Sequence, residues 1–381
     1  MIADLTDDQH SLAAALREFC TKTAGTPEQM RSMTAPEHRG HHGPTYAKLA
    51  ELGYIGAAVP EAYGGGGGGA VEMCVLIEEV NRGLLPICGL GVSTIVVGPY
   101  VRFGTEDQKQ SILGGICSGR VEAIAMSEPG AGSDVAALTT RAEKTADGYV
   151  LNGQKMWTTA AHVADHLLVV CRTDPKAESK HKGLSMISVP TDTVGLSIRP
   201  IETMGGSEVN EVFFSDVVVS TGNLLGEQDN GWNQLMAGLN HERLLVAAQG
   251  LGRAQRALDD VVAYVKQRRQ FGHAIAEFQT VRHRIADMTA EVEMLRHFVY
   301  ALAKRVDENP GKLFPREASI AKLKGAEIAN TAAIEAMRMM GGAGYAVEYG
   351  MERQVRDSFS MTIGGGVAEI QRDIIAGTVA L

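Results

Sequence analysis

The feature that most constrains how this chain can fold is its hydrophobic period, which changes twice. Up to about residue 120, apolar side chains recur at spacings of three and four, as in "DDQHSLAAALREFCTKTA" and "AVEMCVLIEEVNRGLL". That period lays one face of an α-helix against a core. Over 121–228 it gives way to short runs such as "GYVLNGQKMWTT", "DHLLVVCRT", "GLSMISVP", "GLSIRPIE" and "EVFFSDVVVS". Rich in β-branched residues and parted by Gly, Asn, Asp and Pro, these predict an antiparallel β domain. From 229 onward the helical period returns in stretches such as "QTVRHRIADMTAEVEMLRHFVYALAKRVDE", long enough for a bundle. The expectation is an α+β chain in three parts: helical 1–120, β 121–228 and helical 229–381.

Bulk properties narrow the function. The 381 residues are 45% hydrophobic and 21% charged, with net charge −9 and pI near 5.7, which argues against a nucleic-acid partner. No apolar run is long enough to predict a membrane span. The acidic, amphipathic start lacks the form of a signal peptide, so a cytoplasmic location is expected. Cys20, Cys74, Cys88, Cys117 and Cys171 form no CxxC pair and no zinc spacing. They are expected to be buried thiols in a reducing compartment, and no metal site is predicted.

Two glycine runs invite a phosphate-loop interpretation. Gly64 to Gly69 contains a formal GxGxxG, but no β-run leads into it as a dinucleotide fingerprint requires. A flexible interhelical loop is expected there. Gly364, Gly365 and Gly366, in "MTIGGGVAEIQR", also lack a leading strand and a correctly spaced further glycine.

Four stretches can carry chemistry. "AMSEPGAGSDV" (125–135) offers backbone N–H groups and the hydroxyls of Ser127 and Ser133 at small residues, either to a carbonyl or phosphate or simply as a capped surface turn. "NGQKMWTTAA" (152–161) pairs an Asn-Gly hairpin signal with Trp157 and the hydroxyls Thr158 and Thr159. The indole suits either a flat polar ring or the core. "LNHERLLVA" (239–247) places Glu242 beside apolar packing, where a carboxylate can become a general base or can belong to a solvated Glu-Arg face. "KQRRQFGHAIAEFQTVRHRIADM" (266–288) gathers Arg268, Arg269, Arg282 and Arg284 around Phe271 and Gln279, a patch able to grip phosphates or to cap a solvated helix end.

Their order is more specific than any one of them. An EPGAGSDV turn, an NGxKxWxT segment, an ER pair on a helix, RxxFGxxIxxFQ, and GGxGY followed by RD and ExQR occur in succession over essentially the whole chain. That series resembles the acyl-CoA dehydrogenase family. The resemblance implies an N-terminal helical domain, a middle antiparallel β domain and a C-terminal four-helix bundle. It also implies FAD, an acyl-CoA substrate, an electron-transfer flavoprotein as acceptor and a homo-oligomer, usually a tetramer.

Residue by residue, the resemblance puts Met126, Ser127, Gly132 and Ser133 on the flavin, with Ser133 also towards CoA. Trp157 would lie against the ring and Thr159 near N5. Arg268, Phe271, Gln279, Arg338 and Gly342 would touch the FAD of a neighbouring subunit. Val367 and Glu369 would approach the flavin nucleotide, and Arg243 the phosphate-bearing end of CoA. The commonest branch carries its base as a glutamate where Gly365 stands here. A second branch, similar to isovaleryl-CoA and long-chain enzymes, carries it where Glu242 stands. The resemblance therefore implies Glu242 as the base, with the N–H of Gly365 left to hold the thioester oxygen.

Several positions depart from the pattern. Val367 replaces a hydroxyl residue, Arg338 stands where Gln is common, and "ETMGGSEVNEVFFSDV" (202–217) lacks the arginine of the family's longer loop. A carrier-protein thioester as substrate, or a non-catalytic FAD-binding subunit, remain alternatives to acyl-CoA dehydrogenation.

Overall fold

A computed structural model of the chain describes residues 5–379. The helical parts follow the apolar period. α1 (Asp7–Ala24) starts at a capping box, the Thr6 hydroxyl accepting from the N–H of Gln9 while the Gln9 side chain accepts from the N–H of Thr6. α2 spans Ala70–Arg82 and α3 spans Cys88–Phe103. After the β region come α4 (Gly231–Gln267), α5 (Gln279–Glu308), α6 (Pro315–Met340), α7 (Met351–Ile363) and α8 (Ala368–Ala376).

The strands are β1 (Glu122–Ala125), β2 (Arg141–Lys144), β3 (Gly148–Thr159), β4 (His166–Arg172), β5 (Leu184–Pro190), β6 (Leu196–Thr203), β7 (Gly206–Ser220) and β8 (Leu224–Leu225). They form one sheet in the order β6-β7-β3-β2-β4-β5-β8, with β1 added on β4. The sheet is mainly antiparallel, with two departures from expectation: β1 pairs β4 in parallel, Glu122 opposite His166 through Ala125 opposite Val169, and β2 meets β4 in parallel at Arg141 opposite Arg172. The long connection from 126 to 165 is what lets the chain return in the same direction.

Two local expectations change. Asn152-Gly153 is not a hairpin turn. β3 runs straight through it, and the register against β7 slips between Leu151 and Gly153. Asn152 instead spends its amide on Asp216, donating from Nδ2 at 2.9 Å and accepting from the Asp216 N–H at 3.0 Å. A Cβ at Gly153 would meet Thr140 at 2.7 Å, so the glycine serves a close approach inside the sheet. The polyglycine run is not a loose loop either. The N–H groups of Gly66, Gly67 and Gly68 donate to the carbonyls of Gly56, Val59 and Ala57 at 3.0, 2.9 and 2.9 Å.

By compactness the chain forms two units. One gathers residues up to 33, 69–85 and from 242 onward; the other gathers 34–68 and 86–241. In the first, α1 and α5 pack on α2, and α6 packs on α5, α7 and α8. α4 approaches α6 where Gly250 meets Gly325, since a Cβ on Gly250 would fall 2.4 Å from the Gly325 carbonyl oxygen. In the second, α3 packs on β1 beside the sheet. Among the described residues no helix is long and apolar enough to cross a membrane, and no cluster of His, Cys, Asp and Glu could hold a metal. All five cysteines are free, with Cys20, Cys74 and Cys171 buried.

Candidate active site

In the first unit, α4 is covered on all sides at Glu242, Arg243, Leu244 and Leu245, four consecutive buried residues. Glu242 and Arg243 are 7% and 9% exposed, so a solvated Glu-Arg face is excluded. Oε2 of Glu242 and Nε of Arg243 have no hydrogen-bond partner among the described residues. Facing the carboxylate is the turn between α7 and α8. Gly365 and Gly366 take φ +64 and +84, the left-handed region that glycine enters without a Cβ penalty. A Cβ on Gly365 would stand 3.5 Å from Oε1 of Glu242, 3.6 Å from Cγ2 of Val246 and 3.7 Å from Cε of Lys322. The missing side chain leaves an opening directly against the carboxylate.

The turn is held by its carbonyls. Gln371 donates from Nε2 to the carbonyls of Gly365 and Gly366 at 3.1 Å each, and Lys322 donates from Nζ to that of Gly366 at 2.6 Å. Nothing among the described residues accepts from the N–H of Gly365. Burial raises the Glu242 carboxyl above the usual carboxylate range, opposed by the charges of Arg243 and Lys322. Burial likewise lowers the Lys322 ammonium to about 8.

Lys322 is a site residue that motif reasoning missed. Its signal is a lone lysine within the buried helical stripe Ala318, Ala321, Ala326 and Ala329. Val367 directly precedes α8 and Glu369 is exposed on its first turn, next to this turn but without contact to Glu242.

A separate cleft of about 730 Å³ in the same unit brings together Arg268, Phe271, Arg338 and Gly342. Gln279 does not line it, although its neighbour Thr280 does. Phe271 is 90% exposed and holds φ +52, an unfavourable conformation for an aromatic residue on an unsupported surface.

In the second unit, β1 delivers the chain into the 126–133 turn. Glu128 and Ala131 exchange backbone hydrogen bonds at 3.0 and 3.1 Å. Beneath the turn is a pair that sequence reasoning did not single out. Lys155 of β3, fully buried, donates from Nζ to Oε1 of Glu128 at 2.8 Å and to the carbonyl of Met126 at 2.9 Å. The N–H groups of Thr139 and Thr140 also donate to Glu128, at 2.7 and 2.8 Å. With Lys155 beside it, the Glu128 carboxyl lies at about 2 although burial alone would raise it. The Met156 N–H donates to the Ser127 carbonyl at 2.8 Å, fastening the turn to the end of β3. Gly132 and Ser133 stay exposed at its tip.

Trp157 is 54% exposed rather than core, and sits at φ +62 where the β3–β7 register slips between Lys155 and Thr158. The ladder resumes with Thr158 opposite Asn210 and Thr159 opposite Val209, and the buried Oγ1 of Thr158 has no partner among the described residues. An exposed indole in a strained conformation suits a flat ring stacked on it. In the second unit the exposed tip of the 126–133 turn and the exposed Trp157 indole thus suit the flat ring of the flavin that the resemblance implies.

Models of the acyl-CoA dehydrogenase N-terminal, middle and C-terminal domains match residues 6–120, 123–217 and 229–380. The chain is 37% identical to a probable acyl-CoA dehydrogenase of Bacillus subtilis over 379 residues, covering 98% of each. It is 38% identical to the mitochondrial isovaleryl-CoA dehydrogenase of Arabidopsis thaliana over 333 residues, 86% of this chain and 80% of that one. The crystal structure of an acyl-CoA dehydrogenase from Geobacillus kaustophilus superposes with a TM-score of 0.91 at 36% identity, covering all of both chains. With every domain matched in order and the fold shared end to end, this chain belongs to the acyl-CoA dehydrogenase family of FAD-dependent flavoenzymes.

Proposed function

We propose that the protein oxidises an acyl-CoA thioester to its trans-2-enoyl product, with Glu242 removing the α-proton. The observation that carries this is the buried Glu242 carboxylate facing the space left by Gly365, with Oε2 unpartnered. A desolvated carboxylate is a stronger base than one in water, and burial raises the Glu242 carboxyl above the usual carboxylate range. An α-proton beside a thioester is still weakly acidic unless the developing enolate oxygen is met by donors. The free N–H of Gly365, on a turn whose carbonyls are fixed, supplies one. Arg243 and Ser133 lie on the CoA side. FAD, when bound, would supply at N5 the hydride acceptor for the β-hydrogen. Trp157, Thr159 and the 126–133 turn hold the ring in one subunit. Arg268, Phe271, Gln279, Arg338 and Gly342 serve the FAD of a neighbour in a homotetramer, with Val367 and Glu369 beside the nucleotide. Electrons then pass to an electron-transfer flavoprotein in a reducing, cytoplasmic setting.

The test is anaerobic titration of the yellow protein with a panel of acyl-CoAs. Flavin bleaching by at least one of them is expected, and none with FAD bound would remove the dehydrogenase reading. Glu242→Gln should keep FAD and lose at least ~10²-fold in the rate of flavin reduction, as for removal of a positioned base.

A further inference from the structure

Lys322 projects from α6 into the space that Glu242 occupies. Its side chain is 1% exposed, and its Nζ has one hydrogen-bond acceptor, the Gly366 carbonyl. No carboxylate is in ion-pair contact with it among the described residues; Glu242 is the opposite charge acting on it. A buried ammonium held by a single neutral oxygen is costly, and a methionine or leucine would fill the same stripe without that cost.

Few charges reach Glu242. On its own helix it is Arg243, with the neighbouring His241 kept neutral by burial, and on α6 Lys322. The turn and α8 bring the neutral Gln371, while Glu369 is exposed and Arg372 is exposed and paired with Glu327. Lys322 therefore bonds the glycine turn, and its Cε and Oε1 of Glu242 both border the position a Cβ on Gly365 would take, at 3.7 and 3.5 Å.

Resting on Glu242 as the base, we propose that Lys322 is a positioning residue for the reaction: its ammonium biases Glu242 towards the ionised, proton-accepting form, and its bond to Gly366 holds the turn that presents the Gly365 N–H to the thioester oxygen. The charge and the hydrogen bond can be separated. Lys322→Gln keeps a donor and removes the charge, Lys322→Met removes both, and Lys322→Arg keeps both.

The test uses the FAD-loaded protein and two readouts. One is the pH profile of flavin reduction by the best acyl-CoA from the panel. The other is the substrate-free titration of the Glu242 carboxyl by infrared difference spectroscopy, identified by its loss in Glu242→Gln. In Lys322→Gln the carboxyl titration and the acid limb of the rate profile should both move up by about one pH unit, from loss of the opposite charge acting on Glu242. The rate should recover at high pH. Lys322→Arg should restore the original profile, and Lys322→Met should add a loss at every pH. Should Lys322→Met fail to fold, the Gln and Arg variants decide alone. An unmoved carboxyl titration in Lys322→Gln, with Glu242→Gln still inactive, overturns the role of Lys322 and leaves the base in place. Normal reduction in Glu242→Gln removes the base, and this role with it.

Discussion

Gly365 shows how much a single position decides. Its φ of +64 costs an L residue about 1 kcal/mol, yet a Cβ there would make only ordinary contacts at 3.5–3.7 Å. Gly365→Ala should therefore fold and bind FAD, with a fall of a few degrees in Tm. The added methyl would stand in the approach to Glu242, so flavin reduction by acyl-CoA should slow by at least ~10-fold, because small displacements at a reacting centre are costly. Unchanged reduction in stopped flow would show that the opening is not used. Glu242 itself illustrates the limit of local patterns. "HER" on a helix reads as readily as a solvated face, and it is the packing of α4, α6 and the glycine turn that takes its carboxylate out of water.

At the scale of elements, the N-terminus of α2 is closed by the protein itself. The Asp307 carboxylate of α5 accepts from the N–H groups of Ala70 and Val71 at 2.6 and 3.1 Å, and a Cβ on Gly69 would collide with it at 2.4 Å. That carboxylate fills the anion position a phosphate would otherwise take, which is why the glycine run ahead of α2 is no phosphate loop. Asp307→Ala should cost about 1–2 kcal/mol of stability, seen as a fall of a few degrees in calorimetric Tm, with Asp307→Asn losing less. The helices, the strand runs and the order of the motifs were legible because period and composition report backbone geometry directly. The Asn152-Gly153 turn was misread for the opposite reason. A bulge and a hairpin share the same dipeptide, and only the long pairing of β3 with β7 tells them apart.

For the whole molecule, acid sensitivity follows from neutral histidines, His41 buried and His162 and His241 half-buried. Burial lowers His41, His162 and His241 to about 4 each. His41 accepts the Gly89 N–H at Nδ1, a bond that its protonation would break. Because these folded values lie below the unfolded value near 6.5, the unfolded chain binds more protons between about pH 4 and 6.5. Their contribution to stability is complete above 6.5 and is lost as pH falls through 4. Tm should fall steadily over that window, and His41→Gln, which can still accept from Gly89, should flatten part of the slope. A Tm independent of pH from 6.5 to 4 would contradict the burial of these rings as neutral species.

The sequence by itself determined the class of fold, the family and the identity of the candidate base, because these rest on periodicity and on motifs in a set order. Tertiary structure decided which of those residues are buried, strained or free. Trp157 is exposed on a slipped register, Glu242 is desolvated, Lys322 is drawn beside it from 80 positions away, and Lys155 locks the 126–128 turn through Glu128. Those properties come from contacts between segments distant in the chain, and burial and charge proximity have no local signature.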